Sequence, residues 1–433
     1  MWSKTMSGVQ VKHCKNTASS APVRMPVPDQ VVIPMIQHMG APCQPLVAVN
    51  DLVTVGQKIG DTQEFMSAPI HSSVSGKVTE LREFITSGGA KCPAVVIATD
   101  KQQTLCPDIK PPVVQNHKEL LAAVRECGLV GLGGAGFPTH VKLNPKNLSE
   151  VDTLVVNGAE CEPYITCDMQ LMLNSTEALL NGIQTVKKHL GLAHAVIGIE
   201  DNKPQVIQKL TEACKPLEGV TVKSLKAVYP KGAEKVLTYE CTGRVIQEGK
   251  LPADAGVIVC NVATLAKLSH YLKTGIPLTE KVITVDGSAV TEPKNVIALI
   301  GTQMADIIAF CGGYKAEPKK LLMGGPMMGT TVPSDDFPLL KNNNAILAFA
   351  EADAELAPET ACIRCGRCLR ACPFDLAPAK LDKAYRAGNV PALRALKVNL
   401  CMECGCCAYV CPARRDLVMS NKLAKQLLRG QKN

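Results

Sequence analysis

Aromatic residues are scarce in this chain. They make up 3% of its 433 residues, with a single Trp. A core of this size must therefore come from Val, Leu, Ile and Ala, and the 46% hydrophobic content can supply one. The length points to about two to four domains. No apolar run approaches the ~20 residues that cross a bilayer as a helix. The opening stretch MWSKTMSGVQVKHCKN has none of the apolar core of a signal peptide. The expectation is a soluble, cytosolic chain that is free to dock on a membrane complex.

Acidic residues are sparse at one end. From Ala361 onward there are fourteen Lys/Arg against four Asp/Glu, a balance of +10 within a chain whose formal net charge is +8. The remainder is therefore about −2. Such a basic segment often signals nucleic acid, but here its cysteines offer another reason. Nine of the twenty cysteines lie in the last 72 residues. Thiolates around an iron–sulfur core leave negative charge for Arg and Lys to offset, and the surplus would steer an acidic partner or lie near anionic lipid. The other eleven are scattered and read as small buried hydrophobes.

The clustered cysteines form two ladders, CIRCGRCLRACP at 362–373 and CMECGCCAYVCP at 401–412. Cys362, Cys365, Cys368 and Cys372 follow C-x2-C-x2-C-x3-C-P, and Cys401, Cys404, Cys407 and Cys411 repeat it. This is the ligand run of ferredoxin-type [4Fe-4S] clusters, in which the fourth cysteine serves the other cluster. That rule groups Cys362, Cys365, Cys368 and Cys411 around one cluster. It groups Cys401, Cys404, Cys407 and Cys372 around the second. Structural zinc explains paired CxxC motifs but not gaps of two, two and three before a proline, twice over. Cys406 stays unassigned. Between the ladders, helical periodicity breaks at Gly388 and Pro391. Two clusters in series imply one-electron relay.

Upstream lies a glycine loop, GLGGAGFPTHVK at 131–142. It matches G-x-G-x-x-G only formally, because a helical pattern precedes it and Pro138 follows. Four glycines in six residues still let backbone N–H groups approach a bulky anion or a flat ring. The strand pattern TLVVN then runs into a polar turn with Asn157, Glu160 and Glu162. YPKGAEKVL places Gly232 and Glu234 at a helix start. GVIVCNVATLAKL runs from strand through Asn261 and Thr264 into a helix. Ligands bind at such strand ends in open α/β sheets.

The order of the glycine loop, NGAECEP, YPKGAE and CNVAT resembles the flavin- and NADH-binding subunit of respiratory complex I and its relatives. Within that group it is most similar to the C subunit of the Rnf complexes, ferredoxin:NAD oxidoreductases. VIPMIQHMGAPCQPLVAVNDLVTVGQKIG, SAPIHSSVSGKV and the terminal ladders carry the narrower match, which spans nearly the whole chain. The resemblance implies a cofactor pocket lined by Gly131, Gly133, Gly134 and Gly136, with Phe137 where the dinucleotide stacks and Lys142 as the pocket lysine. Asn157, Glu160 and Glu162 match the loop that holds FMN. Gly232 and Glu234 match a second contact for flavin and dinucleotide, and Asn261 and Thr264 the turn at the flavin phosphate. Leu132, Ala159 and Cys260 stand where complex I proteins usually have Arg, Asp and Asn.

The implied architecture is a multidomain α/β chain. Residues 1–112 would form a barrel-sandwich β module and linker, and 113–278 a Rossmann-like FMN/NADH domain. Residues 279–350 would form a β-grasp, soluble-ligand-binding domain, and 351–433 a helical ferredoxin-like domain with two [4Fe-4S] clusters. The barrel resembles lipoyl and biotinyl carriers, yet its tip-like stretch SAPIHSSVSG holds no lysine before Lys77, so a scaffold or docking role is expected. A lone His71 reads as structural.

The expected function is an electron-transport subunit of a membrane-associated Rnf-type translocase. Electrons would pass between NAD(H), FMN and the two metal-binding cages, without a catalytic side chain. Partners would be the other Rnf subunits, an iron–sulfur subunit among them, with ferredoxin reached indirectly and no nucleic acid. The place would be peripheral, on the cytoplasmic face. Two alternatives are a microcompartment flavin/iron–sulfur cobalamin reductase and a flavin-free relay adapter. The N-terminal module argues against the first, and Asn157, Glu160, Glu162 and Asn261 against the second.

Overall fold

The computed structural model describes residues 7–355 and 357–430. Residues 30–99 make two small antiparallel sheets. One has Gln30–Pro34, Lys91–Thr99, Gly76–Ile85 and Leu52–Val53 as neighbours; the other has Gln44–Pro45, Lys58–Asp61 and Ile70–His71. Val31, Ile33, Ile59, Ile70, Val78, Val95 and Ile97 close their shared core. The stretch 67–76, which would be a carrier's tip, is buried throughout. The Ser73 hydroxyl donates to the carbonyl O of Ile300, 2.5 Å away. This tip is a docking surface inside the molecule and not a swinging arm.

The second unit is a four-stranded, wholly parallel sheet with the order Val220–Leu225, His194–Glu200, Thr153–Asn157, Val257–Asn261. Its strands TLVVN and VIVCN are aliphatic runs because helices cover both faces, while the edge strand VTVKSL is half polar and partly exposed. The chain starts at Thr153–Asn157, adds two strands on one side, then crosses back to lay Val257–Asn261 on the other. Strand order reverses between these two neighbours. Helix Thr176–Leu190 packs on helix Val262–Thr274, and both end in a left-handed glycine, Gly191 and Gly275.

A six-stranded mixed sheet follows. Its order is Val23–Arg24, Lys294–Leu299, Glu280–Asp286, Ala345–Phe349, Lys320–Met323, Thr330–Val332. Ala345–Phe349 is fully buried at its centre. The chain from Gly8 to Arg24 does not join the barrel. Val9 pairs with Tyr229 beyond the parallel sheet, and Val23–Arg24 lies parallel to Val296–Ile297. The last unit is helical, with Pro378–Arg386 against Leu417–Gly430 and short helices Arg367–Ala371 and Cys406–Tyr409 after the glycines of the two ladders.

Gly182 shows how tightly the main helix pair fits. A Cβ there would sit 2.1 Å from the carbonyl O of Leu265. Gly182→Ala therefore has to spread the helices, and a loss of about 1–3 kcal/mol is expected. Denaturant titration reads it as a lower midpoint; an unchanged midpoint would mean the helices do not meet this closely.

Candidate cofactor sites

The crevice where strand order reverses is the place for a ligand in an open parallel sheet. Asn157 and Asn261 are register partners at the carboxyl ends of the two strands that flank it. The Asn261 Oδ1 accepts from the Ala263 N–H at 2.8 Å, capping helix Val262–Thr274, while its Nδ2 donates to Asp168 at 2.7 Å. The Asn157 Nδ2 donates to the carbonyl O of Gly232 at 2.8 Å. The glycine loop arrives from the opposite side. The Leu132 N–H donates to the Thr264 Oγ1 at 3.0 Å. A Cβ on Gly133 would meet the Asn261 Nδ2 at 3.1 Å, so only glycine fits easily. Gly134 has φ +130° and nothing within 4 Å of its Cβ position. Gly133, Gly134 and Ala135 are exposed at the mouth. The Gly131 N–H closes the loop on the Phe137 carbonyl at 2.9 Å.

Lys142 lines the same crevice. Its Nζ donates to Glu234 at 2.9 Å and to the carbonyl O of Val259 at 3.0 Å, and it lies 5.9 Å from the Phe137 ring centroid. Burial works against its charge, but Glu234 outweighs this and holds the ammonium pKa above its ordinary value. A bare glycine cradle, the start of a long helix and a charged lysine fit a phosphate attached to a flat ring. The structure thus brings Gly131, Gly133, Gly134, Gly136, Phe137, Lys142, Asn157, Gly232, Glu234, Asn261 and Thr264 around one crevice.

Glu160 and Glu162 shape the loop instead of pointing bare carboxylates into it. Glu160 accepts from the Asp168 N–H at 2.6 Å and the Met169 N–H at 3.3 Å, at the start of helix Cys167–Asn174. Glu162 accepts from the N–H groups of Met327 and Met328 at 3.0 and 2.9 Å. Burial pushes both up to about 7. Lys15 grips the loop from outside, donating to the carbonyls of Glu160, Glu162 and Ile165. Lys203 does the same to Ala159. Asp168, Lys15, Lys203 and Asn342, whose amide donates to the Gly134 carbonyl, escaped the sequence reading. Nothing local in the sequence signals a partner 145 residues away.

The two ladders share one backbone plan. Left-handed residues recur at matching offsets: Arg364 and Glu403, Gly366 and Gly405, Asp375 and Arg414. Cys372, Cys401, Cys404 and Cys407 line one small pocket, with Cys406 and Asn421 beside them. The Asn421 amide donates to the Cys401 Sγ at 3.4 Å. Burial, then the nearby Cys411 sulfur, raises the Cys368 thiol pKa, while Cys362 and Cys365 are exposed. The pocket gathers Cys372 of the first ladder with Cys401, Cys404 and Cys407 of the second. Burial, then the neighbouring sulfurs, pushes the Cys372 thiol up to about 11 and the Cys407 thiol up as well. Crowded sulfurs favour their thiolate form around a cationic core, and that donor set fits an iron–sulfur cluster.

These features define a flavin- and iron–sulfur-type electron carrier, and comparison with known proteins agrees. Residues 124–270 match the Nuo51 FMN-binding domain, and 3–102 the RnfC barrel sandwich hybrid domain. Residues 282–331 match the SLBB domain and 360–415 the 4Fe-4S dicluster domain. The chain is 43% identical to the C subunit of the proton-translocating ferredoxin:NAD(+) oxidoreductase complex of Clostridium ljungdahlii, over 87% of this chain and 83% of that one. It is 39% identical to the C subunit of the Na(+)-translocating complex of Acetobacterium woodii, over 98% and 97%. The chain belongs to the family of C subunits of these ion-translocating ferredoxin:NAD(+) oxidoreductase complexes, the Rnf family. Its fold is also similar to a crystal structure of an NAD+-reducing nickel–iron hydrogenase in the air-oxidized state. There the TM-score is 0.51 at 19% identity, over 73% of this chain and 66% of that one.

The raised Glu162 predicts a pH effect. Between 4.5 and about 7 the folded chain keeps a proton that the unfolded chain has released. Stability therefore falls as pH rises through that window. Glu162→Gln has no charge to bury, so its unfolding temperature should fall less over the same range. Equal falls in parent and variant would contradict the assignment.

Proposed function

We propose that this chain is the electron-transfer subunit through which an Rnf-type ferredoxin:NAD oxidoreductase exchanges electrons with NAD(H). It is an oxidoreductase subunit that uses FMN and two [4Fe-4S] clusters and works with other Rnf subunits. FMN supplies hydride chemistry and the change from paired to single electrons, and the clusters supply one-electron relay. Lys142 and the start of helix Val262–Thr274 would neutralise the flavin phosphate. Gly131, Gly133, Gly134 and Gly136 would admit the ring system, with Phe137 as the stacking face for the dinucleotide. Asn157, Gly232, Glu234, Asn261 and Thr264 would complete the flavin pocket, with Glu160 and Glu162 holding its loop in shape. We assign no catalytic side chain.

One observation carries the relay: the second ladder is fastened to the flavin side of the molecule. The Tyr229 hydroxyl donates to the carbonyl O of Cys404 at 2.7 Å, three residues before Gly232. Gly405 lies against Met327, whose N–H Glu162 holds. Cys362 and Cys365 face solvent. Electrons would thus pass between the flavin and the Cys372, Cys401, Cys404, Cys407 centre, and leave by the Cys362, Cys365, Cys368, Cys411 centre. Arg364, Arg367, Arg370 and Arg414, exposed and beside those cysteines in the sequence, suit an acidic iron–sulfur partner.

No helix among the described residues is long and apolar enough to cross a membrane. Ion translocation then belongs to partner subunits, and we place this chain peripherally on the cytoplasmic face, where NADH is available. We also read 113–278 as Rossmann-like, 279–350 as β-grasp and 351–433 as ferredoxin-like, after a barrel and linker in 1–112, of which residues 8–24 pair outside the barrel.

Anaerobic reconstitution should give about eight iron atoms and one FMN per chain, both reducible by NADH. Zinc in the cages, or no bound flavin, would defeat this reading. Lys142→Ala removes a charge-assisted contact and should weaken FMN retention by roughly ten- to a hundredfold, with iron content unchanged. Parent-like retention would remove Lys142 from the pocket.

A further inference from the structure

Asn421, on helix Leu417–Gly430, is 1% exposed and lines the pocket of Cys372, Cys401, Cys404 and Cys407. Its Nδ2 donates to the Cys401 Sγ at 3.4 Å. Its Oδ1 is buried and has no partner among the described residues. A thiolate only accepts, so the amide faces it with nitrogen. Lys425, one turn further along the helix, donates to the carbonyl O of Cys401 at 3.0 Å and to Glu403 at 2.6 Å. That clamp keeps the helix face and the cysteine in register. A buried amide with an orphaned carbonyl costs stability that an aliphatic side chain of similar size would not. What the position gains from asparagine is the N–H aimed at the sulfur.

The first ladder fills the same position differently. The ladders are offset by 39 residues throughout, and the helices that follow them start at the same offset, at Pro378 and Leu417. Asn421 therefore corresponds to Asp382, and Cys401 to the exposed Cys362. The Asp382 carboxylate is taken up by Arg386, Arg415 and the Ser420 hydroxyl, and has no hydrogen to offer a sulfur.

One-electron reduction adds negative charge to a cage, part of it on the thiolate sulfurs, and breaks no bond. Burial opposes that charge. A donor on a ligand sulfur favours it, more so in low dielectric. An exposed cage obtains such donors from water; a buried one needs them from the chain.

We propose that Asn421 is a positioning residue that acts through the Cys401 sulfur and raises the midpoint potential of the centre held by Cys372, Cys401, Cys404 and Cys407. Two cages built on one cysteine pattern then differ in potential. The proposal rests on the cluster assignment above.

The test is a potentiometric titration of the full chain, reconstituted with FMN, iron and sulfide and followed by EPR. In Asn421→Leu one of the two midpoints should move to more negative potential and the other should stay, with iron and FMN content unchanged. Asn421→Gln keeps an amide donor and should recover part of the shift. Two unmoved midpoints, or an equal shift of both, would overturn the proposal. If Asn421→Leu loses iron, the parent chain labelled with nitrogen-15 in its asparagine side-chain amides decides. Pulsed EPR of its reduced centres should show a nitrogen-15 coupling at one of them, and no coupling would overturn the proposal. A parent chain that takes up zinc and shows no iron–sulfur signal would overturn the cofactor reading, and this proposal with it.

Discussion

The parallel register that sets Asn157 beside Asn261 is the constraint on which the rest depends. It fixes the crevice between two strand ends and starts helix Val262–Thr274 at its rim. It also brings the turn after Thr153–Asn157 against Gly232. A one-residue slip of either strand would turn its asparagine to the opposite face of the sheet. Helix start, glycine loop and the Gly232 turn would then no longer converge. The sheet's aliphatic strands hold that register because the covering helices leave them no alternative face.

Buried lysines fasten the units to this crevice. Lys341 donates to the carbonyls of Pro69 and Gly128, joining the barrel tip to the segment before the glycine loop. Lys281 donates to the carbonyls of Leu132 and Lys341, joining the mixed sheet to the loop itself. Burial lowers the pKa of both to about 8. Lys15 and Lys203 hold the Glu160–Glu162 turn in the same manner. Each ammonium satisfies carbonyls that the irregular loops would otherwise bury unpaired. An ammonium reaches several acceptors at once, which suits turns with no ladder to join.

What was legible in the sequence was local. TLVVN and VIVCN are aliphatic runs ending in a cap or turn residue, and both are strands of the parallel sheet. Pro391 marks a helix start, as its position after Gly388 suggests. The ladders encode their own left-handed turns. Distant partners left no trace. The carboxylates of Glu160 and Glu162 resemble cofactor ligands in the sequence, but their neighbours in space are backbone N–H groups. The AILAF run is a central strand of the mixed sheet. Five apolar residues between polar stretches gave too short a period to read. Tyr229 opens the YPKGAEKVL stretch, and only the fold shows the cysteine whose carbonyl it reaches.

The central claim concerns order: flavin at the crevice, then the buried cage, then the exposed one. Anomalous diffraction at the iron edge, from crystals of the FMN-loaded chain, tests it most directly. The account predicts two groups of iron, with the group bound by Cys372, Cys401, Cys404 and Cys407 nearer to a flavin seated between Asn157 and Asn261. A flavin seated elsewhere, or nearest to the iron bound by Cys362 and Cys411, would contradict it.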